Sequence, residues 1–335
     1  MNREVQPFHP FLRWVRALFT LAGVIVSVLS LIGFLGQFNW VLDLCSHFRV
    51  QYIITLSLFG SLLLSFHCRK TAISFFLMAG MNGAVVLPLF FGVQNSKSNG
   101  TPVLRAMLLN VNTNTGDPGL VKIAIQEANP DILVLEEISN KWIKDLAWLK
   151  SSHPYSITQP REDNFGIGLF CKQPLVEGKI VYIGTNIPTI LASIKTSGIS
   201  LRIVATHPTP PTSHDYSNWR DKQLDQLPRV LGSPWPLILI GDLNMTPWSS
   251  HFRRLLQSSG LRDSSRGRGF HPTWPNDNPF LLIPIDHILY SPDISVVDRH
   301  VGGDVASDHF PVIIDFMVPQ PLTNTTPISR KLSEQ

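Results

Sequence analysis

The 335-residue sequence predicts an α/β sandwich of two packed sheets preceded by three apolar helices, and three observations lead there. The first 96 residues contain three stretches without a charged side chain, 17–42, 50–68 and 71–96. From residue 103 onward, short apolar runs of strand length alternate with amphipathic helical patterns, the arrangement of layered sheets covered by helices. Several of those runs end abruptly in a carboxylate, an amide or a histidine, so polar chemistry gathers at strand exits.

The uncharged stretches come first along the chain. A membrane span needs ~20 mostly apolar residues, and each stretch meets or approaches that length. A buried hairpin of core helices is the soluble alternative, and a signal peptide is the alternative for the first stretch, which follows Arg3, Arg13 and Arg16. Three stretches in succession favour three transmembrane helices within a membrane anchor at 1–93. Trp14, Trp40 and Tyr52 fall near the expected interfaces, as aromatic belts do. Arg3, Arg13, Arg16, Arg69 and Lys70 flank the spans on one side and only Arg49 lies on the other. The positive-inside rule then places the amino terminus inside a cell membrane and everything after Phe91 outside it.

A polar linker is expected at 94–102 and a folded domain at 103–318. Strands are predicted at 103–111, 131–137, 166–172, 178–183, 189–196, 200–206, 236–241, 285–291 and 312–318. Helices are predicted at 118–128, about 139–150, 218–231 and 247–258. In the second helix Trp142, Leu146 and Leu149 recur at helical spacing. Residues 319–335 are polar, include Pro319, Pro321 and Pro327, and read as a disordered tail.

Charged residues make up 16% of the chain, against ~25% for an average soluble protein. The net charge of +4 belongs to the apolar part: residues 1–94 hold six Lys/Arg and two Asp/Glu, which leaves 22 of each for the rest. A neutral domain lacks the general basic footprint of a duplex-binding protein. Arg253, Arg254, Arg262, Arg266 and Arg268 form one local basic cluster, read more simply as a solvated helix face and loop than as a nucleic-acid groove. Three cysteines, Cys45, Cys68 and Cys171, give neither a disulfide framework nor a zinc spacing.

The polar strand ends are the informative part. Leu108-Leu109-Asn110-Val111-Asn112 ends in two amides, and Asp131-Ile132-Leu133-Val134-Leu135-Glu136-Glu137 ends in two carboxylates. Val204-Ala205-Thr206-His207 ends in an imidazole. In Ile238-Leu239-Ile240-Gly241-Asp242-Leu243-Asn244 a core strand opens onto an acid and an amide two residues apart, which the strand period would place on one side. Pro284-Ile285-Asp286-His287-Ile288-Leu289 sets an acid in an apolar strand, and Ser307-Asp308-His309-Phe310-Pro311-Val312 enters the last one.

In this order and spacing, the set resembles the endonuclease/exonuclease/phosphatase superfamily over about residues 103–318, with Gly-Asp-x-Asn and Ser-Asp-His its most specific pieces. The resemblance implies a four-layer α/β sandwich and a metal-dependent hydrolase of phosphate esters using Mg²⁺ or Mn²⁺, the hard cations that oxygen ligands suit. Carried onto this chain, it implies Glu137, Asn110 and Asp308 as metal ligands, with Asp308 alternatively just behind them. Glu136 stands where relatives usually have glutamine, so which glutamate binds metal is open, as is the choice of one or two ions. Asn112 stands where some relatives have aspartate. Asp242 would orient or deprotonate the attacking water, Asn244 would hold a phosphate oxygen, and His309 would donate to the phosphoryl oxygens or act as the proton-transfer group, with its ring fixed by Asp286. His207 matches a histidine that some branches use as general acid. His287, next to Asp286 on a strand, should face the other way. Thr273-Trp274 resembles a segment flanking the family's substrate cleft, and a purely structural tryptophan reads equally well.

Some bacterial relatives with three amino-terminal spans are associated with lipid-carrier pyrophosphate, and the chain resembles that architecture. The expected partners are therefore the bilayer and a phosphate-ester substrate, lipid-linked in the first reading. An extracytoplasmic nuclease acting on DNA or RNA is the second reading, and a non-catalytic tethered binding module the third. No feature of the sequence fixes an oligomeric state.

Overall fold

The computed structural model describes residues 10–92, 102–232 and 236–319. Apart from Pro102 and Pro319, the expected linker and tail lie outside the described residues.

The amino-terminal part contains α1 (Pro10–Ile32), α2 (Trp40–Leu44), α3 (Arg49–Ser65) and α4 (Arg69–Val86). Two of these helices, extended by 3₁₀ turns to Pro10–Leu35 and Arg69–Leu89, are long and apolar enough to cross a membrane by length and composition. The expected third span, α3, is not among them. α3 is apolar but only 17 residues long, because Arg49 is buried at its start and His67 adopts φ +60° at its end. It reaches about 26 Å at 1.5 Å per residue, short of the ~30 Å hydrocarbon core. Trp14, Leu18 and Leu21 stay exposed on α1, whereas Leu56, Leu63, Ala72 and Phe75 are buried between α3 and α4. Arg49 Nη1 donates inside the bundle to the Ser30 carbonyl at 2.8 Å and to Asn82 Oδ1 at 2.9 Å.

The folded domain follows as β1 (Leu104–Asn110), α5 (Pro118–Ala128), β2 (Ile132–Glu136), α6 (Asn140–Asp145), α7 (Leu149–Ser152), β3 (Tyr155–Gln159), β4 (Ile167–Cys171), β5 (Leu175–Tyr182), β6 (Pro188–Thr196) and β7 (Ile199–Thr206). It continues through α8 (His214–Leu231), β8 (Leu237–Asp242), α9 (Ser250–Ser259), β9 (Arg262–Asp263), β10 (Asp286–Tyr290), β11 (Ser295–Val301) and β12 (Val312–Met317). One sheet has the order β11-β12-β1-β2-β4-β3 and the other β5-β6-β7-β8-β10-β9. Alternate residues of the central strands divide between two cores. Ala106, Leu108, Ile238 and Ile240 fill the space between the sheets. Met107 and Leu109 pack under α5 and α6, and Leu237 and Leu239 under α8 and α9. Burial on both faces is why these strands read as unbroken apolar runs. Helices, sheet, sheet and helices are the four expected layers.

The helix expected at about 139–150 is broken into α6 and α7. Between them the backbone bonds tighten to i→i+3, from Ala147 to Lys144 and from Leu149 to Leu146. Trp142, Leu146 and Leu149 are nevertheless all buried, as the spacing required.

The two parts of the chain are joined through one end of the helical bundle. His47 Nδ1 is 3.0 Å from Thr246 Oγ1, Gln51 Nε2 donates to the Leu282 carbonyl at 2.8 Å, and the Gly267 and Gly269 amides donate to the carbonyls of Pro88 and Leu89. Asp43 on α2 accepts from Ser249 Oγ at 2.9 Å and from Arg220 Nη2 on α8 at 3.1 Å.

Candidate active site

Strand register brings the polar ends to one level. Asn110 pairs with Glu136 across β1 and β2, and Asp242 pairs with Asp286 across β8 and β10. The two sheets are tied there by the Asp242 amide, which donates to Glu136 Oε2 at 3.0 Å. Gly241 must be a glycine for this approach, since an added Cβ would stand 1.8 Å from the Thr206 carbonyl oxygen and 3.2 Å from Glu136 Oε1.

Just beyond the strands, three residues other than glycine adopt left-handed backbone: Asn112 at φ +51°, Glu137 at +60° and Asn244 at +52°. Such conformations are uncommon and concentrate at functional sites. The Asp242/Asn244 pairing is made by such a turn, not by the strand pleat expected from sequence, for Asp242 Oδ1 accepts from the Asn244 amide at 2.8 Å. Asn110 Oδ1 holds the Asn112 amide in the same way at 3.0 Å. The left-handed turn also changes the geometry of the two glutamates. Glu136 is buried behind Asp242, while Glu137 turns toward Asn110, whose Nδ2 donates to Glu137 Oε1 at 2.9 Å.

His309 Nδ1 lies 2.9 Å from Asp286 Oδ2, which leaves Nε2 free to face the cleft, 3.8 Å from Asp242 Oδ2. His207 Nε2 is 3.5 Å from the same Asp242 oxygen. Asp308 Oδ1 accepts from Asn112 Nδ2 at 2.8 Å and Oδ2 from Trp274 Nε1 at 2.9 Å. Ser307 Oγ closes the group, donating to the Asn110 carbonyl and accepting the His309 amide. Asn110 and Glu137 are thus linked to Asp308 through Asn112, and to His309, Asp286, Asp242, Asn244 and His207 through Ser307. His287 points the other way, to the Met245 carbonyl at 2.8 Å. Asn244 Nδ2 donates one of its two protons to the Pro208 carbonyl at 3.0 Å.

Trp274, which reads from sequence as either cleft-flanking or structural, donates to Asp308, and two residues without a sequence signal, Arg220 and Asp43, stand behind the site. Arg220 Nη1 donates to the Asn244 carbonyl at 3.2 Å, so the turn carrying Asn244 is held from below by a fully buried guanidinium. Nothing in the local sequence around Arg220 signals that role.

Electrostatics polarise the cluster. Burial disfavours charge on His309, but the Asp286 carboxylate at hydrogen-bond distance outweighs it and pushes the ring up to about 10. Asp286 is also buried, yet His309 holds it below its ordinary range. His207 loses hydration on burial, but Glu136 and Asp242 raise it to about 9. Glu136 itself is pushed up to about 8 by burial.

The His309–Asp286 pair sets a testable pH dependence. A histidine raised from 6.5 to about 10 contributes stability that is complete below pH 6.5 and is lost as pH rises through about 10. A depressed Asp286 contributes stability present above 3.8 and lost as pH falls through its folded value. The melting temperature should therefore decline between pH 6.5 and 10, and His309→Gln should flatten that decline. A slope unchanged in His309→Gln would show that other groups carry it.

Fold and site together define a hydrolase of phosphate ester bonds. A family model described as "Endonuclease/Exonuclease/phosphatase family" matches residues 107–309, and the chain belongs to that family, whose members are divalent-metal-dependent. Among solved structures, the catalytic domain of human Nocturnin with a bound sulfate anion is 22% identical, with a TM-score of 0.54 over 65% of this chain and 96% of that one. D. rerio TDP2 complexed with a single-strand DNA product is 17% identical, with a TM-score of 0.55 over 64% and 98%. An endonuclease/exonuclease/phosphatase from Beutenbergia cavernae DSM 12333 is 21% identical, with a TM-score of 0.53 over 64% and 72%. At these identities the likeness is one of fold. No curated relative matches the chain at a significant level.

Proposed function

We propose that this protein is a membrane-anchored, divalent-metal-dependent phosphoesterase that hydrolyses a phosphodiester or phosphoanhydride carried on a lipid. The observation carrying this reading is the way the domain docks. Its bonds to the helical part come from Asp43, His47, Gln51, Pro88 and Leu89, at one end of the bundle, so the domain would rest on one membrane face. Three crossings, by α1, α3 and α4, from an inner amino terminus would make that face extracytoplasmic, whereas crossings by α1 and α4 alone would make it cytoplasmic. Tethering there raises the effective concentration of any substrate held in the headgroup layer.

The donor set fits a hard cation. Glu137 is a partly exposed carboxylate whose oxygens accept only from the neutral donors Asn110 Nδ2 and the Thr113 amide, the latter at 3.4 Å, so lone pairs remain for a metal. Glu137 and Asn110 would hold Mg²⁺ or Mn²⁺, which neutralises charge on phosphoryl oxygens when bound. Asp308, with each oxygen already accepting a hydrogen bond, orients Asn112 and Trp274 beside this site. Asp242 aligns the attacking water and accepts its proton. His309, protonated at neutral pH, donates from Nε2 to a phosphoryl oxygen while Asp286 fixes its ring, and Asn244 orders the turn beside it. His207 protonates the leaving oxygen. Asp242, Asp286 and His309 also converge closely enough to form a second metal group. The His309–Asp286 hydrogen bond favours its use in proton handling instead.

The deciding comparison gives purified full-length protein a lipid pyrophosphate in detergent micelles, a phospholipid and duplex DNA, each with Mg²⁺ or with chelator. Metal-dependent release of phosphate from a lipid substrate is expected. Efficient DNA cleavage without lipid-phosphate release would replace this reading with the nuclease one.

A further inference from the structure

At the junction of the helical part and the domain lies a cavity of about 750 Å³, within the ~300–1,000 Å³ range of ligand pockets. Arg253 reaches it from α9, Arg262 from β9, and Arg266 and Arg268 from the loop that follows. Val85, Pro88 and Leu89, at the end of the apolar helix α4, also line it. The loop and that helix end are locked together by the bonds from Gly267 and Gly269 to the Pro88 and Leu89 carbonyls.

Its charge is unbalanced. None of the four guanidiniums forms an ion pair among the described residues. Arg253 and Arg268 donate to backbone carbonyls, of Trp248 and of Ser264 and Val296. Asp263 is the single carboxylate on the wall, and both its oxygens are taken by the amide and hydroxyl of Ser265. Arg254, one residue from Arg253 on the same helix, does not line the cavity and faces Asp225 at 3.9 Å. A merely solvated helix face would not draw arginines from three separate elements to one hollow. The cavity is also distinct from the catalytic cleft. Arg262 pairs with Tyr290, four residues along β10 from Asp286, or about 13 Å at ~3.3 Å per residue.

We propose that this cavity is a second, non-catalytic phosphate site, taking the phosphodiester of an anionic phospholipid whose chains lie along the end of α4. Guanidinium forks match phosphate oxygens in pairs, and an apolar wall beside them suits a molecule with a charged head and a hydrocarbon tail. The lipid source rests on the membrane-anchored reading, whereas phosphate recognition does not.

The test measures thermal stability of full-length protein in detergent micelles doped with phosphatidylglycerol, with phosphatidylcholine, or with inorganic phosphate at the same phosphate concentration. A ligand bound only by the folded state raises the melting temperature in a concentration-dependent way. Phosphatidylglycerol should stabilise the wild type. Arg262→Gln/Arg266→Gln should weaken the apparent affinity by on the order of tenfold or more, the scale of losing charged hydrogen bonds. Arg254→Gln should respond as wild type. Equal stabilisation by inorganic phosphate would assign the site to free phosphate and overturn the lipid source. An unchanged response in the double variant, or no response to either phosphate, would overturn the site itself. His309→Ala should keep the phosphatidylglycerol response, so failure of the catalytic reading and failure of this one are separately visible.

Discussion

Replacing His309 by alanine lowers turnover by ~10²–10⁴-fold, the usual worth of a positioned proton-transfer group. The expectation follows from geometry. The ring is buried, its Nδ1 is bound to Asp286 at 2.9 Å, and its free Nε2 lies 3.8 Å from Asp242. Removing it takes away a cation held protonated at neutral pH where phosphoryl charge would build up. It also leaves the buried Asp286 without its partner, so alanine should cost stability as well. His309→Asn separates the two effects, because its amide can still donate to Asp286. It should melt closer to wild type while turning over about as slowly as alanine. Asp242→Asn should show a loss of the same order, since an amide cannot accept the water's proton. Single-turnover rates beside melting curves give the measurement, and wild-type turnover by folded His309→Asn would remove His309 from the chemistry.

The second large effect lies outside the cleft. Asp43→Leu should destabilise the full-length protein by roughly 3 kcal/mol, the lower end of the cost of stripping a buried charge of its partner. Asp43 and Arg220 are both fully buried and 3.1 Å apart. Asp221 still accepts from Arg220 Nε at 2.9 Å, which moderates the loss. Because Arg220 also holds the Asn244 carbonyl, turnover should fall along with stability. The double variant Asp43→Leu/Arg220→Met removes both charges and should recover much of the stability without recovering the rate. Equal stability of Asp43→Leu and wild type would show that the pair does not couple the helical part to the site.

The central strands were legible because they are buried on both faces. β1, β2, β4, β8 and β12 form unbroken apolar runs, and the expected bounds fall within one or two residues of those observed. The strands absent from the sequence reading, β3, β9 and β11, all lie at sheet edges. There one side meets solvent, and sequences such as Ser295-Val296-Val297-Asp298-Arg299-His300-Val301 carry charges that break the apolar pattern. The helix spanning 139–150 was predicted from side-chain spacing, which survives a local tightening of the backbone. The continuous helix itself did not survive it.

By itself the sequence determined the order of polar strand exits, the family they belong to and the side chains available for chemistry. Those are local properties, set by where an apolar run stops and which residue stops it. Strand alternation already separates Glu136 from Glu137, but only the tertiary structure decided which one is buried behind Asp242 and which turns toward Asn110, since that depends on a left-handed turn at Glu137. It alone joined Asp43 to Arg220 across 177 residues and drew arginines from three elements into one cavity against α4. Contacts of that kind arise from the packing of distant surfaces. Their partners leave no periodic trace in the chain, because each residue reads locally as an ordinary charge in a helix or loop.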